Sequence, residues 1–287
     1  MTMTIQKLVV FGGNGFLGKR ICQQAVLKGM QVTGISRSGK PPVPLTNSDK
    51  HWINEVSWKS ADIFNPDSYG LYLKDRPNVV NTIGILLENE NYKKELKNGF
   101  SLPSLFKRAP NPLLYPRNSE LRLKSNTNFT YERMNTKSMM ILADTFKLIL
   151  EKNEVQSALR PSLTYISADK GFLVVPQEYI HSKRIAELYL LDMTKNMTNP
   201  FRPIIIRPGF MFDELNTTQF NDVRTVLHDG LEVLNCANKL ILRNQFQIVN
   251  DIIRPTISTQ QVGRSLVDKL NDQRYSGILT LEEMLDR

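Results

Sequence analysis

Residues 7–18 read Lys7-Leu-Val-Val-Phe-Gly-Gly-Asn-Gly-Phe-Leu-Gly18, and few folds accommodate such a stretch. Leu8 to Phe11 is an apolar run of the length a buried parallel strand needs. Gly12, Gly15 and Gly18 follow at a spacing of three. Residues 19–28 then predict a helix, with Leu17, Ile21, Ala25 and Val26 on one face. Strand, glycine turn and helix in that order make a cradle for a pyrophosphate. A helix N-terminus offers unpaired N–H groups and the positive end of its dipole. Glycine lets phosphate oxygens approach without a Cβ in the way. The stretch predicts dinucleotide binding, with Gly12, Asn14, Gly15, Phe16, Leu17 and Gly18 in contact. A purely structural glycine turn is the competing reading.

Further apolar runs at 31–36, 56–61, 78–83, 162–167 and 203–207 predict five more strands, with helices at 131–152 and 179–195. Strands separated by helical stretches argue an α/β fold, a Rossmann-type doubly wound parallel sheet. Residues 1–209 read as the nucleotide-binding domain. Residues 210–287 read as a smaller C-terminal substrate lobe, partly returning to the main domain: helix at 221–242, an extended piece at 248–259, helix at 262–270 and a last strand at 277–281. Residues 88–130 interrupt the rhythm as a long insertion with four prolines. Between Lys93 and Lys124 it carries eight basic residues against two acidic ones, which suits a docking segment or a mobile loop.

Composition narrows the classes. A chain of 287 residues with 41% hydrophobic content builds a real core. No apolar run reaches the roughly 18 residues of a membrane span. The net charge of +9 suits nucleic acid, anionic lipid or acidic partners, or equally an alkaline compartment, and no arginine stripe singles out nucleic acid. Cys22 and Cys236 make no disulfide framework, and His51, His181 and His228 form no close cluster, so no metal is expected. The first strand starts so early that a long cleavable presequence is not expected, although Lys19, Arg20 and Lys28 make the first helix basic and amphipathic, which leaves an uncleaved import signal there open.

Tyr179 and Lys183 lie four apart, on one face of the predicted helix. Free tyrosine titrates near 10, and a neighbouring ammonium stabilises its phenolate. Ser167, at the end of the strand upstream, can donate to a carbonyl oxygen that gains negative charge. Asn135, in the preceding helix, is placed to hold a water or a backbone kink near the lysine. A surface Tyr/Lys pair with a strand-end serine is the structural alternative.

These motifs, in this order, resemble the extended and atypical short-chain dehydrogenase/reductases. The resemblance rests on Gly12/Gly15/Gly18, Asp62-Ile63, Asn135, Ser167, Tyr179/Lys183 and Arg207-Pro208-Gly209, and covers nearly the whole chain. It implies Tyr179 as acid/base, Lys183 on the nicotinamide ribose and Ser167 polarising the carbonyl. It also implies Asp62 and Ile63 near the adenine and Pro208 at the cofactor. Residues 10–22, 84–92, 165–172 and 207–214 resemble more closely the fungal mitochondrial ubiquinone-biosynthesis branch of that superfamily, the coenzyme Q series. That likeness implies a peripheral protein on the matrix face of the inner mitochondrial membrane, among coenzyme Q synthesis proteins and near a quinone intermediate.

An NAD site carries an acidic residue at the end of the second strand. Here that position reads Ser36-Arg37-Ser38, with no carboxylate until Asp49. Arg37 suits a 2′-phosphate, which favours NADP(H) and leaves NAD(H) open. Two function classes follow: an oxidoreductase on a quinone-pathway intermediate, or a non-catalytic dinucleotide-binding accessory subunit of the coenzyme Q synthesis complex. A redox-sensing regulator is a third, weaker reading.

Overall fold

Alternation along the first strand sets the architecture. Leu8 and Val10 point into one hydrophobic cluster, Val9 and Phe11 into another, and all four are fully buried. A strand apolar on both sides must be covered on both sides, which is the situation of a parallel sheet between two helix layers. The computed structural model describes residues 5–74, 78–86, 88, 129–152, 159–170, 175–197, 200–216 and 254–286.

The described elements run β1 (Lys7–Phe11), α1 (Gly18–Leu27), β2 (Gln31–Ser36), α2 (Asn47–Glu55), β3 (Ser57–Ser60), α3 (Gly70–Leu73) and β4 (Asn78–Asn81). A π-helical segment (Glu132–Lys137) then leads into α4 (Ser138–Glu151), followed by β5 (Ser162–Ile166), α5 (Gln177–Lys195) and β6 (Arg202–Ile206). The chain continues through β7 (Phe210–Phe212), β8 (Thr256–Ser258), α6 (Thr259–Asn271), β9 (Gly277–Leu279) and α7 (Leu281–Leu285). The main sheet has seven parallel strands in the order β3-β2-β1-β4-β5-β6-β9. The chain steps outward from β1 to β3, then returns to place β4 beside β1. The crevice between those two strands is therefore the switch point of a doubly wound sheet.

One face is covered by α1, α2 and α6, through Ile21, Ala25, Trp52, Val262 and Leu266. The other is covered by α3, α4 and α5, through Leu73, Leu142, Phe146, Ala186 and Leu190. Each fully buried aliphatic side chain contributes roughly 1.5–3 kcal/mol over its exposed state. The six strands expected through β6 are all present in the sheet, with ends shifted by a residue or two.

Several expectations change. The expected helix at 131–152 opens with the π-helical segment, because Asn135 turns its side chain to the Ile85 backbone while its own carbonyl accepts from the Tyr165 hydroxyl. The helix expected at 262–270 begins at Thr259, because the Ser258 side chain caps it by accepting from the Gln261 N–H. The helix α2 was not anticipated, although Thr46 and Asp49 form a capping box at its start. Past residue 210, β7 and β8 form a separate parallel pair, whereas β9 joins the main sheet and α6 lies against α1. The expected helix at 221–242, residues 248–253 and the insertion apart from residues 88, 129 and 130 lie outside the described residues.

Two buried arginines fasten the layers. Arg20 of α1, 1% exposed, donates to both carboxylate oxygens of Asp213 at 3.0–3.1 Å and to Asp49 at 3.3 Å. Lys19 adds an ion pair to Asp213 at 2.8 Å, and the Gln260 amide donates at 2.9 Å. Arg202, at the start of β6, donates to the carbonyls of Lys269, Leu270, Asp272 and Tyr275, the last turn of α6 and the bend beyond it. A cation at a helix C-terminus meets both unpaired carbonyls and the negative end of the dipole.

Burial alone would raise the Asp213 carboxyl, but Lys19 and Arg20 outweigh it and hold it below the ordinary 3.8. A depressed folded pKa means stability that is present above the ordinary carboxylate range and lost as pH falls through the folded value. Asp213→Ala is expected to lose about 3 kcal/mol in urea unfolding at neutral pH, since it strips a buried cation of its main partner. Below pH 3.8 the gap between variant and parent should narrow. An unchanged midpoint at neutral pH would show that the cluster contributes nothing.

Candidate functional site

The glycine turn is built by backbone contact. Gly12 sits at φ +78°, and the N–H groups of Gly12 and Gly13 both donate to the Ile35 carbonyl, at 2.8 and 3.2 Å. A Cβ on Gly18 would stand 2.1 Å from the Gly12 carbonyl oxygen, so the first turn of α1 can press against the loop only without a side chain there. No side chain caps the start of α1, and its first turn holds no acidic residue. A helix N-terminus of this kind suits an anion. Leu17 is buried in the core behind the loop, with Phe16 beside it half-buried. Asn14 reaches sideways, its amide donating to Ser38 Oγ at 3.3 Å and to the Lys40 carbonyl at 3.1 Å, which ties the loop to the turn after β2.

A second group stands at the carboxyl ends of β4 and β5. Lys183, 4% exposed, donates from Nζ to the Ile166 carbonyl at 2.9 Å. Its Nζ lies 4.8 Å from the ring centre of Tyr165 and 5.8 Å from that of Tyr179. Asn135 clasps Ile85, accepting its N–H at 2.8 Å and donating to its carbonyl at 3.2 Å, and also donates to Ser182 Oγ at 3.1 Å. A Cβ on Gly84 would stand 2.9 Å from both Asn135 Oδ1 and Lys183 Nζ, so the backbone after β4 passes directly over the lysine. Tyr179 is half-buried, edge-on to Tyr131 with ring centres 5.9 Å apart. The fold thus brings Asn135, Tyr179 and Lys183 together. Asn135 lies in the π-helical segment, and its carbonyl accepts from the Tyr165 hydroxyl at 2.9 Å.

Burial, opposed by the Glu187 charge, brings the Lys183 amine down from 10.5 to about 7. Burial, with Tyr179 and Glu187 nearby, pushes the Tyr165 phenol well up. A buried amine that exchanges its proton near neutrality, beside a half-buried phenol, is an arrangement able to take up or release a proton in the working range of an enzyme.

Ser167 follows directly after Ile166 and is 3% exposed. Its Oγ accepts from Arg184 Nη1 at 3.1 Å. Arg184 also donates to the carbonyls of Ala168 and Asp169 and pairs with Glu187 at 2.7 Å. Arg207 donates to both oxygens of the same Glu187 carboxylate. Asp169 pairs with Arg254 at 2.6 Å, and its N–H donates to the Pro208 carbonyl, which places Pro208 beside this cluster. The remaining expected residues lie across the switch point. Arg37 is exposed in the turn after β2, its carbonyl accepting from Ser60 Oγ at 2.8 Å. Asp62 and buried Ile63 follow β3, with the Asp62 carboxylate accepting from the Phe64 N–H.

Gly84, Arg184, Glu187, Asp169 and Arg254 were not anticipated. Gly84 had a signal, since a glycine just past an apolar strand repeats the pattern of Gly12 after β1. Arg184 had none, because an arginine beside a lysine on a helix reads as solvated surface. Among the described residues no group of three His, Cys, Asp or Glu side chains is arranged to hold a metal ion, and no helix is long and apolar enough to cross a membrane.

No family model matches the chain. MIOREX complex component 2 of Saccharomyces cerevisiae is 50% identical over 289 aligned residues, covering 98% of this chain and 99% of the yeast protein. The 3-oxoacyl-[acyl-carrier protein] reductase of Brucella melitensis, solved with NAD, superposes with a TM-score of 0.57 at 11% identity, covering 100% of each chain. A short-chain dehydrogenase/reductase of Burkholderia multivorans with bound NADP gives a TM-score of 0.57 at 12% identity, covering 98% of each chain. At those identities the solved structures speak for the fold alone, a Rossmann-type sheet of the short-chain dehydrogenase/reductase kind. The yeast match reaches further: over almost its full length, this chain belongs to the family of MIOREX complex component 2.

Proposed function

We propose that the chain is an NADP(H)-dependent carbonyl oxidoreductase that works as a subunit of a multiprotein complex. The observation that carries the reading is the gathering of Tyr179, Lys183 and Asn135, with Ser167 one residue from the Lys183 anchor, at strand ends beside an uncapped glycine-loop helix. The residues fit a dinucleotide: the Gly12–Gly18 contact leaves no side chain over the start of α1, and Gly84, lacking a Cβ, lets the backbone after β4 pack against Lys183 and Asn135. A bound nicotinamide supplies the hydride. Around it, Lys183 holds the ribose and raises the acidity of the Tyr179 phenol. Tyr179 gives its proton to the substrate oxygen, and Ser167 donates a hydrogen bond to that oxygen as charge builds.

The environment of Asp49 supports NADP(H) over NAD(H). It is the first carboxylate after β2, and its two oxygens accept from Arg20, Trp52, Leu45 and Thr46, which leaves Arg37 as the charged group at the strand end. The carbonyl compound assigned here is a quinone-pathway intermediate. Support comes from the likeness of residues 10–22, 84–92, 165–172 and 207–214 to the ubiquinone-biosynthesis branch. The same likeness supports the matrix face of the inner mitochondrial membrane and coenzyme Q synthesis proteins as neighbours. Residues 1–209 serve as the nucleotide-binding domain and 210–287 as the smaller substrate-side lobe. A second reading, an accessory subunit that binds the dinucleotide without turnover, is favoured by the relative's name as a complex component.

Fluorescence titration should show NADPH bound more tightly than NADH, with Arg37→Ala weakening NADPH by about tenfold and NADH little. Equal affinities in the parent protein would remove the case for NADP(H). Tyr179→Phe should lower NADPH-dependent reduction of a soluble benzoquinone by roughly 100-fold or more while leaving NADPH binding near its parent value. Full support of ubiquinone synthesis in cells by Tyr179→Phe would favour the accessory reading. Lys183 carries a stability consequence as well. Between about 7 and 10.5 the folded protein holds fewer protons there than the unfolded chain, so its contribution to stability rises with pH across that window. Lys183→Met should therefore melt higher than the parent at neutral and mildly acidic pH, yet bind NADPH more weakly. A lower melting temperature would show that the burial cost is already offset.

A further inference from the structure

We propose that Arg184 is a positioning residue for the candidate site, fixing the Ser167 hydroxyl as a hydrogen-bond donor and polarising its O–H. The inference rests on the reading in which Ser167 meets the carbonyl oxygen. A serine hydroxyl has one proton to give and two lone pairs to offer. One lone pair is taken by the Arg184 guanidinium at 3.1 Å, and among the described residues none accepts the proton. The rotor is thereby turned to donate, and a cation beside the oxygen strengthens that donation.

The surroundings hold the cation in place. Arg184 is 28% exposed on its side chain, whereas its partner Glu187 is 3% exposed. Arg207 binds the same carboxylate, so one negative charge is shared between two guanidiniums. Asp169 pairs with Arg254, which also binds the Glu282 carboxylate. The Nη1 that faces Ser167 also meets Glu187 Oε1 at 2.7 Å, so the cation is locked against the hydroxyl by its own ion pair. The carbonyls of Ala168 and Asp169 hold the guanidinium in that orientation, at 2.9 and 3.1 Å. Lysine in its place would lack the planar fork that reaches several acceptors at once.

A thiol at position 167 reads this coupling without any turnover. Ser167→Cys is prepared with Cys236→Ser; Cys22 is silent, because burial pushes its thiol far up. Thiolate formation is followed by ultraviolet absorbance and by alkylation rate, with Arg184 intact and with Arg184→Gln or Arg184→Met. With Arg184 present the thiol is expected to titrate about one unit lower, roughly tenfold more thiolate at a given pH below it. Arg184→Lys should recover part of the shift. Arg184→Gln keeps an amide donor without the charge, so it remains informative if Arg184→Met fails to fold. In the Ser167 protein, Arg184→Gln should lower kcat for NADPH-dependent reduction of a soluble benzoquinone with little change in NADPH affinity. Identical thiol titration in the intact, Gln and Lys proteins would overturn the inference. A clear thiol shift in a protein that never consumes NADPH would instead bring down the oxidoreductase reading and leave the Arg184–Ser167 coupling standing.

Discussion

A parallel sheet covered on both faces can meet a ligand only where its strands end. Leu8, Val9, Val10 and Phe11 are all fully buried, and the same holds for Ile204, Ile205 and Ile206 in β6, so these strands offer a ligand neither face. Parallel strands all finish at one edge, and the functional candidates are distributed along it. Gly12 follows β1, Arg37 follows β2, Asp62 follows β3, Gly84 follows β4, Ser167 follows β5 and Pro208 follows β6. The order of the strands then fixes which of these are neighbours. The return of the chain to β4 sets the glycine loop next to the Asn135–Lys183 group, while Arg37 and Asp62 fall on the far side of the crevice.

Charge inside this molecule is spent on fastening and on tuning, in different places. Arg20, Asp49 and Asp213 form a closed group with Lys19 and Gln260, joining α1 and α2 to the segment after β7 and to α6. Such a cluster breaks expensively and forms with little net gain, so its effect is to fix one arrangement. The group at the site is less complete. Lys183 has one carbonyl and two aromatic rings where a surface lysine would have water, and its proton is correspondingly loose.

The parts of the fold legible in the sequence were those set by short-range rules. Glycine spacing, apolar runs and helical stripes depend on a few adjacent residues, and the strands from β1 to β6 were found that way. The Tyr179/Lys183 pair was legible because both lie on one helix face. The rest depended on partners distant in sequence. The π-helical segment exists because Asn135 meets Ile85 and Tyr165, 50 and 30 residues away. Arg184 is interpretable only once β5 is seen beneath it, since its acceptors at 167–169 lie 15 to 17 residues upstream. The start of α6 was missed for a smaller reason: the capping serine stands at the end of an extended run that hid it.

Arg202 lies deep in the molecule, yet every described acceptor of its guanidinium belongs to residues 269–275. A nascent chain that has emerged only as far as β6 carries that cation with nothing to receive it. Closure of the sheet edge must therefore wait for translation of a stretch some 70 residues further on. Until then the growing polypeptide presents a half-finished edge, with the Arg202 guanidinium left to water.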